Sequence, residues 1–172
     1  MMDLLLLREP FPEADIEWRP QRSGMSAKGQ PYAMTLAYVT NRAVMDRLDE
    51  VCGVANWKNE FKASPNGGIM CGISVCTSVS LVKDQNQHPV YNWVTKWDGA
   101  ENTKVEAVKG GLSGAMKRAG VQWGIGRYLY NLPATFGNFH DYGKNNIKID
   151  NKWYMYDYPT LPKEFLPTKE GK

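Results

Sequence analysis

The alternation of apolar and small polar positions from Ile69 to Leu81 is the clearest pattern along the chain. Ile69, Cys71, Ile73, Val75, Thr77, Val79 and Leu81 fall on one side, and Gly72, Ser74, Cys76, Ser78 and Ser80 on the other. A period of two held over thirteen residues predicts a half-buried antiparallel strand, because successive side chains of an extended chain point to opposite faces. Its small face is smooth enough to take a close-packed neighbour or to face water. Trp57 to Ala63 predicts a strand before it, joined through the turn Pro65-Asn66-Gly67-Gly68. A polar turn from Lys83 to His88 leads to a third strand, Val90 to Asp98, with Tyr91, Trp93, Thr95 and Trp97 on one side. Upstream, Met1 to Arg8 predicts a short helix closed by Pro10 and Pro12. Ala14 to Arg19 reads as extended, Arg22 to Pro31 as a flexible basic loop, and Tyr32 to Val39 as a strand with Met34, Leu36 and Tyr38 on one face. Thr40 or Asn41 caps a helix whose buried stripe is Val44, Leu48, Val51 and Cys52, stopped by Gly53.

A period near 3.6 takes over after the third strand. Val105, Val108, Leu112, Ala115, Met116, Ala119 and Trp123 recur at steps of three and four, a core-facing stripe. Gly110, Gly114, Lys117 and Val121 fall on the opposite face. Glycine inside a helix costs about 1 kcal/mol relative to alanine. Its repetition here implies that something bulky approaches the backbone, either another protein element or a polyanion. Farther on, Ile147-Lys148-Ile149, a turn at Asp150-Asn151-Lys152, and Trp153 to Tyr158 predict a hairpin. The order of elements gives an α+β fold, an antiparallel β-meander (a β-β-β-α core) packed against the long helix. Residues 1–158 are expected as one domain and 159–172 as a flexible C-terminal tail.

Composition narrows the chemistry. The 172 residues are 42% hydrophobic and 23% charged, which is ordinary for a globular domain, and the net charge is only +3. Any polyanion site must therefore be a local patch. Lys104, Lys109, Lys117, Arg118 and Arg127 stand against the single acid Glu106, a local net of about +4. Aromatics lie beside several basic positions: Trp18 with Arg19, Tyr32 near Lys28, Trp93 and Trp97 around Lys96, Tyr128 with Arg127. Binders of single strands combine a basic track with aromatic surfaces for bases, although most of these rings also fit as core and strand residues. Cys52, Cys71 and Cys76 have no zinc-type spacing and read as reduced core residues; Cys71 and Cys76 point to opposite faces of a strand. The leucine run Leu4 to Leu7 is too short for a targeting signal or a span, so a soluble cytoplasmic protein is expected. Gly124-Ile125-Gly126 closes a helix rather than opening one, which is the wrong order for a dinucleotide cradle. Asp98, Glu101 and Glu106 are the acids a metal-dependent nuclease would use, yet in that position they fit helix-dipole partners more simply. No metal or cofactor is expected.

The segment Glu106-Ala-Val-Lys-Gly-Gly-Leu112, then Ala115-Met-Lys117-Arg118-Ala and Gly124-Ile-Gly-Arg127-Tyr-Leu-Tyr130, resembles the signature helix of the Rad-fifty-two superfamily of single-strand annealing proteins. The likeness is closer to its bacterial DdrA and phage Sak branches. Ile16-Glu-Trp18-Arg19-Pro, Tyr38-Val-Thr-Asn-Arg42 and Gly53-Val-Ala-Asn-Trp57 agree in order, so the resemblance spans Pro10 to Pro133. It implies side-by-side assembly into an oligomeric ring or filament, single-stranded DNA in a basic groove, and ATP-independent annealing of complementary strands in recombination or double-strand break repair. No bond is made or broken. Arg19, Tyr38 and Lys117 match groove positions of the family. Where eukaryotic members carry a Lys-Arg pair before the last of these, this chain has Ser113 and Gly114, so further charge must come from Lys104, Lys109, Arg118 or Arg127. With the basic-loop residues Arg22 and Lys28 and with Lys96, these ten positions form the expected DNA contact set. The resemblance also implies work beside a single-strand binding protein or an exonuclease, at the nucleoid of a bacterial or phage-infected cell. The long extension that recruits a recombinase in eukaryotic members is lacking, so a mediator role is not expected. A small nuclease and a protein-interaction module are the alternatives.

Overall fold

The computed structural model describes residues 2–65, 67–83, 89–101 and 107–168. In chain order the elements are β1 (Ile16–Met25), β2 (Pro31–Val39), α1 (Asn41–Cys52), β3 (Trp57–Ala63), β4 (Ile69–Lys83), β5 (Pro89–Ala100) and α2 (Ala107–Trp123). Four short strands follow: β6 (Thr135–Phe136), β7 (Asn138–Phe139), β8 (Asn145–Ile149) and β9 (Lys152–Asp157). The fold is α+β with antiparallel sheets. Contacts group the chain into two compact units, one of Met1–Glu9 with Thr40–Arg127 and one of Pro10–Val39 with Tyr128–Lys172.

The first unit holds the β-β-β-α core. A 3-10 turn at Leu4–Arg8 buries Leu7, and Arg47 of α1 clamps it by donating to the carbonyls of Leu6 (3.1 Å) and Glu9 (2.8 Å). The Thr40 side chain caps α1 by accepting the Ala43 N–H, and Gly53 (φ 84°) ends it in a conformation that favours glycine. β3, β4 and β5 pair antiparallel in that order, with Asn59 and Lys96 both opposite Ile73. α2 covers the face that carries Cys71, Ile73 and Val75. Trp123 Nε1 donates to the Ile73 carbonyl at 3.0 Å, and Ala115, Met116, Ala119 and Trp123 are buried. These are four of the seven positions of the stripe read from the sequence; Leu112 is half-buried, and Val105 lies outside the described residues. Two of the glycines of α2 meet protein: a Cβ on Gly114 would lie 3.1 Å from Ala100 Cβ, and one on Gly120 would lie 3.3 Å from Val44 Cγ1. The close approach expected at Gly114 is therefore made by another element of the protein. Gly114 is where α2 settles onto β5.

The other side of this sheet is filled by the sheet itself. Gly72, Ser74 and Cys76 share it with Lys58, Glu60 and Lys62 of β3 and with Trp93, Thr95 and Trp97 of β5. The Trp97 indole lies flat across Gly72, where a Cβ would come within 2.5 Å of the ring. Ser74 Oγ meets Thr95 Oγ1 at 2.8 Å. The smooth face predicted for β4 is thus closed by its neighbour's rings, and both sides of the strand are buried from Cys71 to Cys76. Lys62 Nζ stands 4.4 Å from the Trp97 ring centroid and Lys58 Nζ 5.6 Å from that of Trp93, contacts worth about 0.5–1 kcal/mol each at exposed sites.

The second unit is built on the β1–β2 hairpin. The stretch Arg22 to Pro31, expected as a loop, is strand as far as Met25. The turn occupies only Ser26 to Gln30, closed by Ser26 N–H donating to the Gln30 carbonyl at 2.8 Å. Its polar residues hid the strand because pairing with β2, not burial, holds them extended. On β2 the small residues Ala33 and Thr35 and the terminal Val39 are buried, while Tyr32, Met34, Leu36 and Tyr38 occupy the more open face. β6 extends β2, with Phe136 opposite Met34. β8 and β9 form the predicted hairpin, turned at Asp150 (φ 47°) and Asn151 (φ 64°), the positive-φ pair of a type I′ turn. The stretch from Pro159, expected as a frayed tail, is anchored within the described residues. Leu161 is buried, its N–H donates to Glu13 at 3.1 Å, and Phe165 stacks on Tyr128.

Candidate nucleic-acid interface

In a regular strand, Arg19 and Arg22 would point to opposite faces, being three residues apart. The register shift between Pro20 and Arg22 is a β-bulge that changes this. Arg19 pairs with Leu36 and Arg22 with Met34, so both arginines share the face of Tyr32, Met34, Leu36 and Tyr38, with Phe136 beside them on β6. Two cations, two tyrosines and a phenylalanine therefore stand on one surface. Arg19 donates through Nε (3.0 Å) and Nη2 (2.7 Å) to one oxygen of Glu17, and both side chains are substantially exposed, 59% and 38%. An exposed pair of this kind contributes about 0–1 kcal/mol, so a phosphate displaces it at little cost. Arg22 and, at the hairpin tip, Lys28 are exposed and have no ion-pair partner among the described residues.

The cations at the far end of α2 are placed differently. Arg127 donates three times to the last carbonyls of the helix, to Val121 at 2.9 and 2.7 Å and to Gln122 at 2.9 Å. Lys96 Nζ donates to the Gln122 carbonyl at 3.0 Å and stands 4.5 Å from the Trp123 ring centroid. The two side chains share the Gln122 carbonyl, the Val121 carbonyl also accepts the Gly124 N–H at 3.0 Å, and both cations complement the negative end of the helix dipole. Arg118 Nε donates to Asp98 Oδ1 at 3.0 Å, and Gln122 Nε2 reaches Oδ2 at 3.1 Å. Burial raises the Asp98 carboxyl, but the hydrogen bonds from Gln122, the Gly99 N–H and Arg118, with the charge of Arg118, outweigh it. The net pKa is below the usual carboxylate range. Lys117 is half-buried on α2. Lys109 stands on the first turn of α2, whereas Lys104 and Glu106 lie outside the described residues.

Of the acids weighed for nuclease chemistry, Asp98 is committed to Arg118 and Gln122, Glu101 is exposed on the segment after β5, and Glu106 lies outside the described residues. No group of three or more metal-ligating side chains occurs among the described residues. No helix among them is long and apolar enough to cross a membrane. The thiols of Cys52, Cys71 and Cys76 are all buried, and burial pushes that of Cys71 up to about 11.

Sequence reasoning did not find the bulge, Phe136, or the lysines of β3. The bulge leaves no periodic signature in a polar strand. Lys58 and Lys62 did leave one, since they alternate with Asn59 and Phe61, but only the register sets them opposite the tryptophans of β5.

One unit is thus a three-stranded meander with a long helix on one face, and the other carries a hairpin that gathers arginines and aromatics. The sequence matches the Rad52/22 family of double-strand break repair proteins over residues 4–147, and the chain belongs to that family. It is similar to the single-stranded DNA-binding protein DdrA of Deinococcus radiodurans, with 32% identity over 160 residues, 91% of this chain and 69% of that protein. It is likewise similar to DdrA of Deinococcus deserti, with 31% identity over 158 residues, 91% of this chain and 71% of its relative.

Proposed function

We propose that this chain binds single-stranded DNA and anneals complementary strands without ATP, in the repair or recombination of broken DNA. The observation that carries the reading is the open face of the β1–β2 hairpin, where a bulge brings Arg19 and Arg22 together beside Tyr32, Tyr38 and Phe136. Cations there fix phosphates while flat rings and apolar surface accommodate unpaired bases. Lys28, Lys117, Lys104 and Lys109 are further candidates for phosphate contacts. Copies acting side by side, as a ring or filament, would hold a strand long enough to test a partner. The setting is the cytoplasm, at the nucleoid.

The test is a gel shift with single-stranded and duplex oligonucleotides of equal length, followed by pairing of labelled complementary strands without ATP. Single strands bind more tightly than duplex. Neutralising about four phosphates gives a log–log salt slope near −3 and about a 50-fold loss of affinity between 50 and 200 mM salt. An affinity that does not change with salt, or no pairing above the spontaneous rate, contradicts the proposal.

A further inference from the structure

The face of the β3–β4–β5 sheet turned away from α2 carries a chemistry that the hairpin reading does not use. Tyr91, Trp93 and Trp97 stand on one side of β5, with Trp93 and Trp97 about 13 Å apart along the strand. Tyr91 is 53% exposed and Trp93 41%. Trp97 rests one face on Gly72 and has the Lys62 ammonium near its ring, as Lys58 is near Trp93. Each lysine is held there by a ring quadrupole, and neither has an ion-pair partner among the described residues. Glu60 is the acid between them on β3.

We propose that this face is a second surface for single-stranded nucleic acid, on which unpaired bases stack on Trp93 and Trp97 while Lys58 and Lys62 move from the rings to neighbouring phosphates. The proposal rests on the reading that the chain binds unpaired strands, and it adds a place where bases as well as phosphates are held. Every base has a π-face, so stacking on indole tolerates any sequence, and it is a stronger contact than an exposed cation over the same ring. A polyanion is the occupant that satisfies both groups at once: it takes the ring surface and supplies a negative charge for each displaced ammonium. A second copy docking here would cover the rings but leave two lysines against a single acid. Bases stacked on this face are withheld from pairing, so the surface anchors a strand and does not itself offer bases to a complement.

The experiment uses the full chain and an oligothymidylate carrying 5-iododeoxyuridine, photocrosslinked and mapped to peptides, with affinities measured for two double variants. Crosslinks fall on Trp93 or Trp97, and Trp93→Ala/Trp97→Leu binds at least about tenfold more weakly. Lys58→Glu/Lys62→Glu, at exposed strand positions that leave the packing of Trp97 on Gly72 intact, also binds more weakly. Crosslinks confined to the hairpin or α2, with both variants within about twofold of the parent, overturn the proposal. So does a change in sedimentation with binding per subunit unchanged, which would assign the face to a second copy. A parent protein that takes up no single strand sinks the annealing reading as well, whereas binding that survives in both variants removes this surface alone.

Discussion

The hairpin of the second unit and the end of α2 in the first both concentrate positive charge, yet they differ in what already occupies it. On the hairpin, Arg19 holds an exposed glutamate, and Arg22 and Lys28 project into solvent. At the end of α2, Arg127 and Lys96 hold backbone carbonyls and Arg118 holds Asp98. A cation bonded to the carbonyls of a helix end must give up those bonds before it can reach a phosphate. One that holds an exposed carboxylate exchanges it for a phosphate with little loss. Counting lysines and arginines along a segment therefore overstates the charge available to a ligand wherever that segment contains a helix C-terminus.

Substitutions at the helix end separate the two roles. Arg127→Ala removes donors from Val121 and Gln122 and lowers stability by about 1–2 kcal/mol. That corresponds to a fall in Tm of about 2–8 °C. Oligonucleotide affinity, measured well below the melting range, stays within about twofold of the parent. A variant that melts normally but binds poorly would move Arg127 from the structural group to the binding group. A smaller, pH-dependent effect is expected at Asp98. Its native pKa is depressed, so its contribution to stability is present above the unfolded value of about 3.9 and is lost as pH falls through the lower native value. In thermal melts, Asp98→Asn is less stable than the parent at neutral pH, and the gap narrows as pH falls below the unfolded value of about 3.9. A gap that is constant with pH would show that the carboxylate charge is not what holds Arg118.

Much of this was legible in the sequence. The alternation on β4, the capped stripe of α1, the Asp150-Asn151 turn and the buried row on α2 each follow from local periodicity or turn chemistry, and these elements lie where that pattern puts them. β1 beyond Arg19 was not legible, because Arg22, Ser23 and Gly24 carry no apolar alternation and are held extended by pairing with β2. The glycines of α2 signalled a close approach correctly but not its partner, since Ala100 and Val44 meet them through tertiary structure alone. The capping role of Arg127 was written in its position just past a helix C-terminus, a signal masked by the cation cluster before it, whereas Lys96 reaches the same end from β5 through tertiary structure alone. The pairing of Arg19 with Arg22 depends on one extra residue in one strand, and nothing local announces it.

The most direct test of the hairpin as the grip on unpaired DNA is the affinity of Arg19→Ala/Arg22→Ala for a single-stranded oligonucleotide, measured with its thermal melt. The account predicts binding about tenfold weaker or more and a log–log salt slope shallower by about 1.4, as expected for two lost phosphate contacts. Stability should stay within about 0.5 kcal/mol of the parent. Parental affinity and salt slope in a folded double variant would contradict it.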